Sequence, residues 1–298
     1  MTEFYRKSQK VGQPGRSLSA SHQRSWLWGR HAVMETLRTG RWPMTQLLIA
    51  SELADEEFDA VWRLATALGV DLERPPAKRL EQLCKAPDHQ GFLAQMAEFP
   101  YETEDNLLKL VKTQPESQQT DSSPNPCQLF LVCDRIQDSH NFGAILRCCD
   151  AMGVAGVIIG AREQASVTPH VARASSGAVN FLRIFRTENL SGCLRQLKEN
   201  SVVIAGASEK ASEPAWQSSM TGPAALVIGS EARGISSEII DVCDCLLRIP
   251  MLGQGESLNA AVAAGILLYE IRRQQDPSQQ QALRSRQNCT GADDVAGK

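Results

Sequence analysis

The chain has 298 residues, 42% of them hydrophobic and 22% charged, with a formal net charge of -3. That length accommodates two modest domains, and the charge excludes a uniformly basic nucleic-acid binder. No apolar run approaches the roughly 18 residues of a membrane span, and the N-terminus lacks the apolar core of a secretory signal, so a cytoplasmic protein without membrane contact is expected.

Up to residue 41, eight basic residues (Arg6, Lys7, Lys10, Arg16, Arg24, Arg30, Arg38 and Arg41) face only Glu3 and Glu35. Residues 1–25, rich in Ser and Gln, are expected to form a disordered basic arm able to meet a polyanion by releasing its counterions. From Trp26 the pattern becomes globular. Ala32–Leu37 reads as a helix, Gln46–Ala50 as a strand and Glu56–Leu68 as an amphipathic helix ended by Gly69. A strand at Val70–Leu72, a helix at Lys78–Cys84 and a strand at Gly91–Ala97 complete a small α/β domain over 26–102. Residues 103–126, polar and proline-containing towards their end, are expected to be a linker.

Beyond it, strand-like runs at Leu129–Cys133, Val154–Ile159, Val202–Ala205, Ala225–Ile228 and Leu246–Ile249 alternate with helical patterns at Gly143–Met152, Leu190–Lys198, Ser236–Cys243 and Ser257–Arg273. Continuous Val/Ile/Leu runs separated by helices imply a parallel sheet covered on both faces. This larger domain is expected over 127–273, followed by a Gln/Ser-rich disordered tail over 274–298. The nine cysteines form no C-x-x-C pair and mostly sit in apolar stretches. The five histidines do not join them at zinc-ligand spacing, so free thiols and no metal are expected.

Three segments carry the chemistry: Asn141-Phe-Gly-Ala-Ile-Leu-Arg147, Ile228-Gly-Ser-Glu-Ala-Arg-Gly234 and Ile249-Pro-Met-Leu-Gly-Gln-Gly-Glu-Ser-Leu-Asn259. Each follows a predicted strand, where open α/β sheets place ligands. Neither G-x-G-x-x-G nor a P-loop occurs, which disfavours nicotinamide dehydrogenases and P-loop nucleotidases. Glu231 at a strand end can fix the Arg147 fork or accept a hydroxyl proton, Asn141 can hold a sugar hydroxyl or the neighbouring catalytic groups through its amide or else cap its own turn, and Ser257 and Asn259 stand where a helix N-cap belongs. Arg162, Arg173, Arg183 and Arg186 form a second cluster, either a rim facing RNA or a solvated surface.

The three segments resemble, in order and spacing, the motifs of the SpoU (TrmH-like) ribose 2'-O-methyltransferases of the SPOUT superfamily. Trp28-Gly-Arg-His-Ala-Val33 and His89-Gln-Gly91 resemble the L30e-like RNA substrate-binding domain of many members. The likeness implies a C-terminal α/β-knot (deep trefoil knot), S-adenosylmethionine as cofactor and a homodimer with the site near its interface. By position, Gly229, Ile249, Met251, Gly253, Leu258 and Asn259 would hold the cofactor, while Arg147, Glu231, Asn141 and Asn259 would carry the chemistry. Arg147, Ser257, Arg30, His31 and Arg173 would meet RNA. The likeness is greatest to bacterial enzymes acting on a guanosine of 23S ribosomal RNA; transfer RNA as substrate, or RNA binding without catalysis, are the alternatives. Departures are Ala260-Ala261 where the family usually has Val-Ser, and Ala232-Arg233 where it has Gly and a variable residue.

Overall fold

The computed structural model describes residues 25–113, 127–255 and 257–276. The expectations for the basic arm up to residue 24, for 114–126 and for the tail beyond 276 lie outside these residues.

The small domain runs β1 (Trp26–Trp28), α1 (Arg30–Thr39), β2 (Met44–Ile49), α2 (Asp55–Ala67), β3 (Asp71–Glu73), α3 (Ala77–Cys84) and β4 (Phe92–Met96). Its sheet has the order β1-β4-β2-β3, with β4 antiparallel to β1 and β2, and β3 parallel to β2. Strand β1 was not legible in the sequence, because three consecutive buried residues, Trp-Leu-Trp, show no alternation.

The expected linker begins instead with a helix, α4 (Glu104–Lys112). The Thr103 side chain accepts from the Asn106 N–H at its start, Glu104 and Asp105 face the positive end of the helix dipole, and Lys109 and Lys112 the negative end. Leu107 and Val111, one turn apart, are buried against Phe130, Val132, Leu194 and Leu197. This helix therefore belongs to the core of the larger domain, and the boundary placed at 103 is corrected accordingly.

That domain continues with β5 (Leu129–Asp134), α5 (Ser139–Ala151), β6 (Gly156–Gly160), α6 (Pro169–Ala174), β7 (Ile184–Thr187), α7 (Leu190–Glu199), β8 (Val203–Ala207), β9 (Ala224–Gly229), α8 (Ser237–Ile240), β10 (Cys245–Leu247) and α9 (Ala260–Gln275). The six strands are all parallel, in the order β10-β8-β9-β5-β6-β7. Every residue of β5 is buried. Leu129, Leu131 and Cys133 face one core cluster and Phe130 and Val132 the other, as the two-residue strand period requires. Truncating one such leucine costs about 2–5 kcal/mol. Helix α9 runs two residues into the expected tail. Gln274 accepts from the Met220 N–H and the Gln275 amide donates to the Gly222 carbonyl, which satisfies buried backbone that a disordered tail would leave unpaired.

The two domains share one hydrophobic cluster and a densely paired polar seam. The Glu102 N–H donates to the Ile184 carbonyl and the Arg186 N–H to the Glu102 carbonyl, so the chain leaving the small domain covers the exposed edge of β7. Arg183 clasps the Glu102 carboxylate with two hydrogen bonds (2.9 and 2.5 Å), and that clasp holds Glu102 below the usual carboxylate range. Asn180, buried, donates to the Thr36 hydroxyl at 3.1 Å, and Arg41 donates to the Leu182 carbonyl. Eight described cysteines are free thiols; burial pushes Cys193 up to about 12 and Cys133 and Cys149 well above the usual thiol range.

Candidate active site at the carboxyl ends of the large sheet

The loops after β5, β9 and β10 leave the same edge of the parallel sheet, and hydrogen bonds tie them together. Asp138 caps α5 by accepting from the Asn141 N–H at 2.7 Å, which fixes the backbone of Asn141 on the first turn. The Asn141 amide then donates to Glu231 Oε1 (2.5 Å) and its oxygen accepts from the Asn259 amide (2.8 Å). Asn259 in turn caps α9, accepting from the N–H groups of Ala261 and Val262. One carboxamide thus bridges a loop carboxylate to a helix N-terminus, and Asn259 both caps α9 and joins this line.

Two motif glycines make these approaches possible. A Cβ at Gly229 would lie 2.2 Å from the Gly234 carbonyl carbon, so the turn Ser230–Gly234, closed by Gly234 N–H to Ser230 O (2.8 Å), requires glycine there. A Cβ at Gly143 would lie 2.4 Å from the Ala174 Cβ, which sets the close packing of α5 on α6. Asp134, buried at the end of β5, supports the same turn: it accepts from the Ser236 N–H (2.6 Å) and from Arg135 Nε (3.2 Å). Its signal in the sequence is a carboxylate that ends an apolar strand.

Arg147 is exposed and has no hydrogen-bond or ion-pair partner among the described residues. It stands six residues beyond Asn141, which on an α-helix is about 9 Å along the axis and about 120° around it. The expectation that Glu231 could fix the Arg147 fork is therefore corrected: Glu231 is held by Asn141. Glu231 also lines a cavity of about 190 Å3 with Arg135, Gln137, Glu163, Ser230, Ala232 and Arg233, and none of the described residues among 249–259 lines it.

Of the residues expected to hold a cofactor, Ile249 and Leu258 are half-buried and Met251 and Gly253 exposed. None of these four makes a backbone hydrogen bond to another described residue. Ser257 is exposed beside them.

Of the residues expected to meet RNA, Arg30 pairs with Glu57 at 2.8 Å and His31 stands exposed on α1, 3.6 Å from Glu35. Arg173 points elsewhere. Its guanidinium lies 4.2 Å over the Trp28 ring and 2.6 Å from Asp88, which also accepts from Trp28 Nε1. This contact holds Asp88 below its usual range and latches α6 to the small domain. Arg183 and Arg186 belong to the same seam, through Glu102 and the Tyr101 ring, and the supposed arginine rim is in large part a domain interface. His89 is buried and its Nδ1 accepts from the Gly91 N–H, a turn contact.

A parallel α/β domain with this three-loop constellation, joined to a small α/β domain, finds its class in comparison with known proteins. Residues 128–269 match the SpoU rRNA Methylase family and residues 26–102 the RNA 2'-O ribose methyltransferase substrate binding domain. YacO of Bacillus subtilis (strain 168), which bears a TrmH family tRNA/rRNA methyltransferase name, is 35% identical over 257 residues, covering 86% of this chain and 98% of its own. A Staphylococcus aureus (strain MSSA476) protein of like name is 35% identical over 245 residues, with 82% and 94% covered. The crystal structure of an RNA 2'-O ribose methyltransferase superposes with a TM-score of 0.62 at 26% identity, covering 87% of this chain and 92% of that one. The fold is also that of the SpoU methyltransferase AviRb from Streptomyces viridochromogenes, solved in complex with AdoMet (TM-score 0.67, 24% identity, 87% and 94% covered). The chain belongs to the SpoU (TrmH) family of RNA ribose 2'-O-methyltransferases.

Proposed function

We propose that the protein methylates the ribose 2'-hydroxyl of a guanosine in large-subunit (23S) ribosomal RNA, with S-adenosylmethionine as donor. The observation that carries the assignment of the site is the Glu231–Asn141–Asn259 hydrogen-bonded line, which joins one residue from each motif. The cofactor suits the described residues of the loop 249–258: Ile249, Met251 and Leu258 offer apolar contact, and their backbone groups and those of Gly253, unpaired among the described residues, suit an adenine edge and a ribose. When bound, it supplies an electrophilic methyl carbon on a sulfonium. The chain's own work is to align the 2'-oxygen with that carbon and to take its proton as the C–O bond forms and the C–S bond breaks. Glu231, oriented by Asn141, is placed to accept the proton. Arg147, permanently cationic, stabilises the developing alkoxide and grips the adjacent phosphate.

The protein acts as a homodimer in this reading. Val262, Ile266 and Tyr269 recur at i, i+4 and i+7 on the outer face of α9, between 43% and 61% exposed, and form an apolar stripe suited to a second copy. Arg147 adjoins Cys148, which packs against Gly265 of the same helix. Light scattering tests this: wild type is expected at twice the chain mass, and Ile266→Glu at the monomer mass. For the substrate, ribose-methylation mapping in a strain lacking the protein is expected to show one lost methyl in 23S rRNA. A lost methyl confined to tRNA overturns the ribosomal assignment.

A further inference from the structure

The cavity beside Glu231 has a use that methyl transfer alone does not require. Its lining balances two guanidinium groups, Arg135 and Arg233, against two carboxylates, Glu163 and Glu231. A phosphate gains little from such a pair of pairs; a neutral ligand with a donor edge and an acceptor edge gains from both. Arg135 and Glu231 already have partners, in Asp134 and Asn141. The Glu163 carboxylate, the Gln137 amide and the Arg233 guanidinium have none among the described residues. At about 190 Å3 the cavity falls below the roughly 300–1,000 Å3 of pockets for drug-sized ligands, which suits one aromatic base.

Its backbone is also unusual. Arg135 (φ 63°) and Glu163 (φ 54°) both sit in the left-handed region, which costs a bulky residue of order 1 kcal/mol and persists where surrounding contacts enforce it. Here the contacts are visible. Arg135 is clamped to Asp134, and the Glu163 loop is held to the β5 loop by Gln164 and Ala165, bonded to the Ile136 N–H and carbonyl.

We infer that this cavity receives the base of the nucleotide to be methylated, a guanine, with Glu163 accepting from N1–H and the 2-amino group and Arg233 donating to O6 and N7. Guanine alone among the four RNA bases offers paired donors beside paired acceptors, and arginine to O6 and N7 is the commonest specific guanine contact. The assignment rests on the ribose-methylating reading of Glu231, since the base cavity and the ribose site share that residue.

The experiment uses the full-length protein, RNA carrying the mapped target and labelled S-adenosylmethionine. Single-turnover rates are compared for wild type, Glu163→Ala and Arg233→Ala, on target guanosine and on inosine, which lacks the 2-amino group. Expected are a drop of about 10-fold or more for each variant on guanosine, a similar drop for wild type on inosine, and no further inosine penalty in Glu163→Ala. Cofactor affinity within twofold of wild type identifies variants that are folded. Variants within twofold of wild type on guanosine, or an inosine penalty undiminished in Glu163→Ala, overturn the base pocket while leaving ribose methylation standing. Methylation mapped to a nucleotide other than guanosine does the same. No methyl transferred to any RNA by wild type overturns both.

Discussion

The domain seam and the candidate catalytic edge use arginine in opposite ways. At the seam, Arg41, Arg173 and Arg183 are each paired with a carboxylate, and across the two domains Arg41 also donates to the Leu182 carbonyl while Arg173 lies over the Trp28 ring. At the catalytic edge, Arg147 and Arg233 have no side-chain partner among the described residues. A guanidinium satisfied within the chain fixes geometry, whereas one left unsatisfied beside a cleft has its hydrogen-bonding capacity reserved for something that arrives. Of the four arginines that the sequence grouped as either an RNA-facing rim or a solvated surface, Arg173, Arg183 and Arg186 fall on the seam side of this difference.

The sharpest test removes an unpaired cation. Arg147→Ala is expected to lower the single-turnover rate by about 10²–10³-fold or more with cofactor affinity nearly unchanged, because the contact forms mainly as charge develops. Loss of cofactor binding in that variant would move Arg147 into the cofactor site. Next, Asn141→Ala frees Glu231 and Asn259 together and is expected to cost about 10²-fold in rate, the order expected when a reacting group is displaced by an ångström. Its unfolding midpoint should change little, since the site is exposed. A rate within a fewfold of wild type would show that the hydrogen-bonded line is not needed for catalysis.

Substitutions at the seam should instead act on stability. Gly177 has φ 87°, and a Cβ there would collide with the Glu35 carboxylate, so Gly177→Ala is expected to destabilise by about 1–3 kcal/mol in denaturant unfolding. Arg173→Ala is expected to cost about 1 kcal/mol, most of it the lost stacking on Trp28, with the single-turnover rate at saturating RNA retained. A wild-type midpoint combined with weakened RNA binding would return Arg173 to the RNA-contacting set. The smallest effect is on pH. Asp88 and Glu102 are held below their ordinary values by Arg173 and Arg183. Their contribution is therefore complete above the ordinary carboxylate range near pH 4 and is lost as pH falls through the lowered values. Stability from the seam should be flat from pH 7 to 5 and decline below about 4, and Glu102→Gln should flatten that decline.

Much of the architecture was legible because burial on both faces of a parallel sheet writes continuous apolar runs, and β5, β6, β8, β9 and most of the helices follow them. What was missed is short or mixed in character: β1 has no alternation, β7 alternates exposed Arg186 with buried neighbours over four residues, and α4 has only Leu107, Leu110 and Val111 to mark its buried face. Within the site, the sequence pointed to Asn141, Glu231 and Asn259 and to the Asn141 amide as able to hold its neighbours, but could not indicate which two groups that amide joins.

Local spacing and residue chemistry were enough to locate most of the elements and the three motif loops, since hydrophobic period, capping residues and glycine positions are short-range properties that a linear chain displays; the family followed from the likeness that those loops carry. Only the folded arrangement decided which charges meet. Ion pairs such as Arg173 with Asp88, or Arg183 with Glu102, span more than eighty residues. Whether a guanidinium is spent on its own chain or left for a substrate depends on distances that exist only after the two domains pack together.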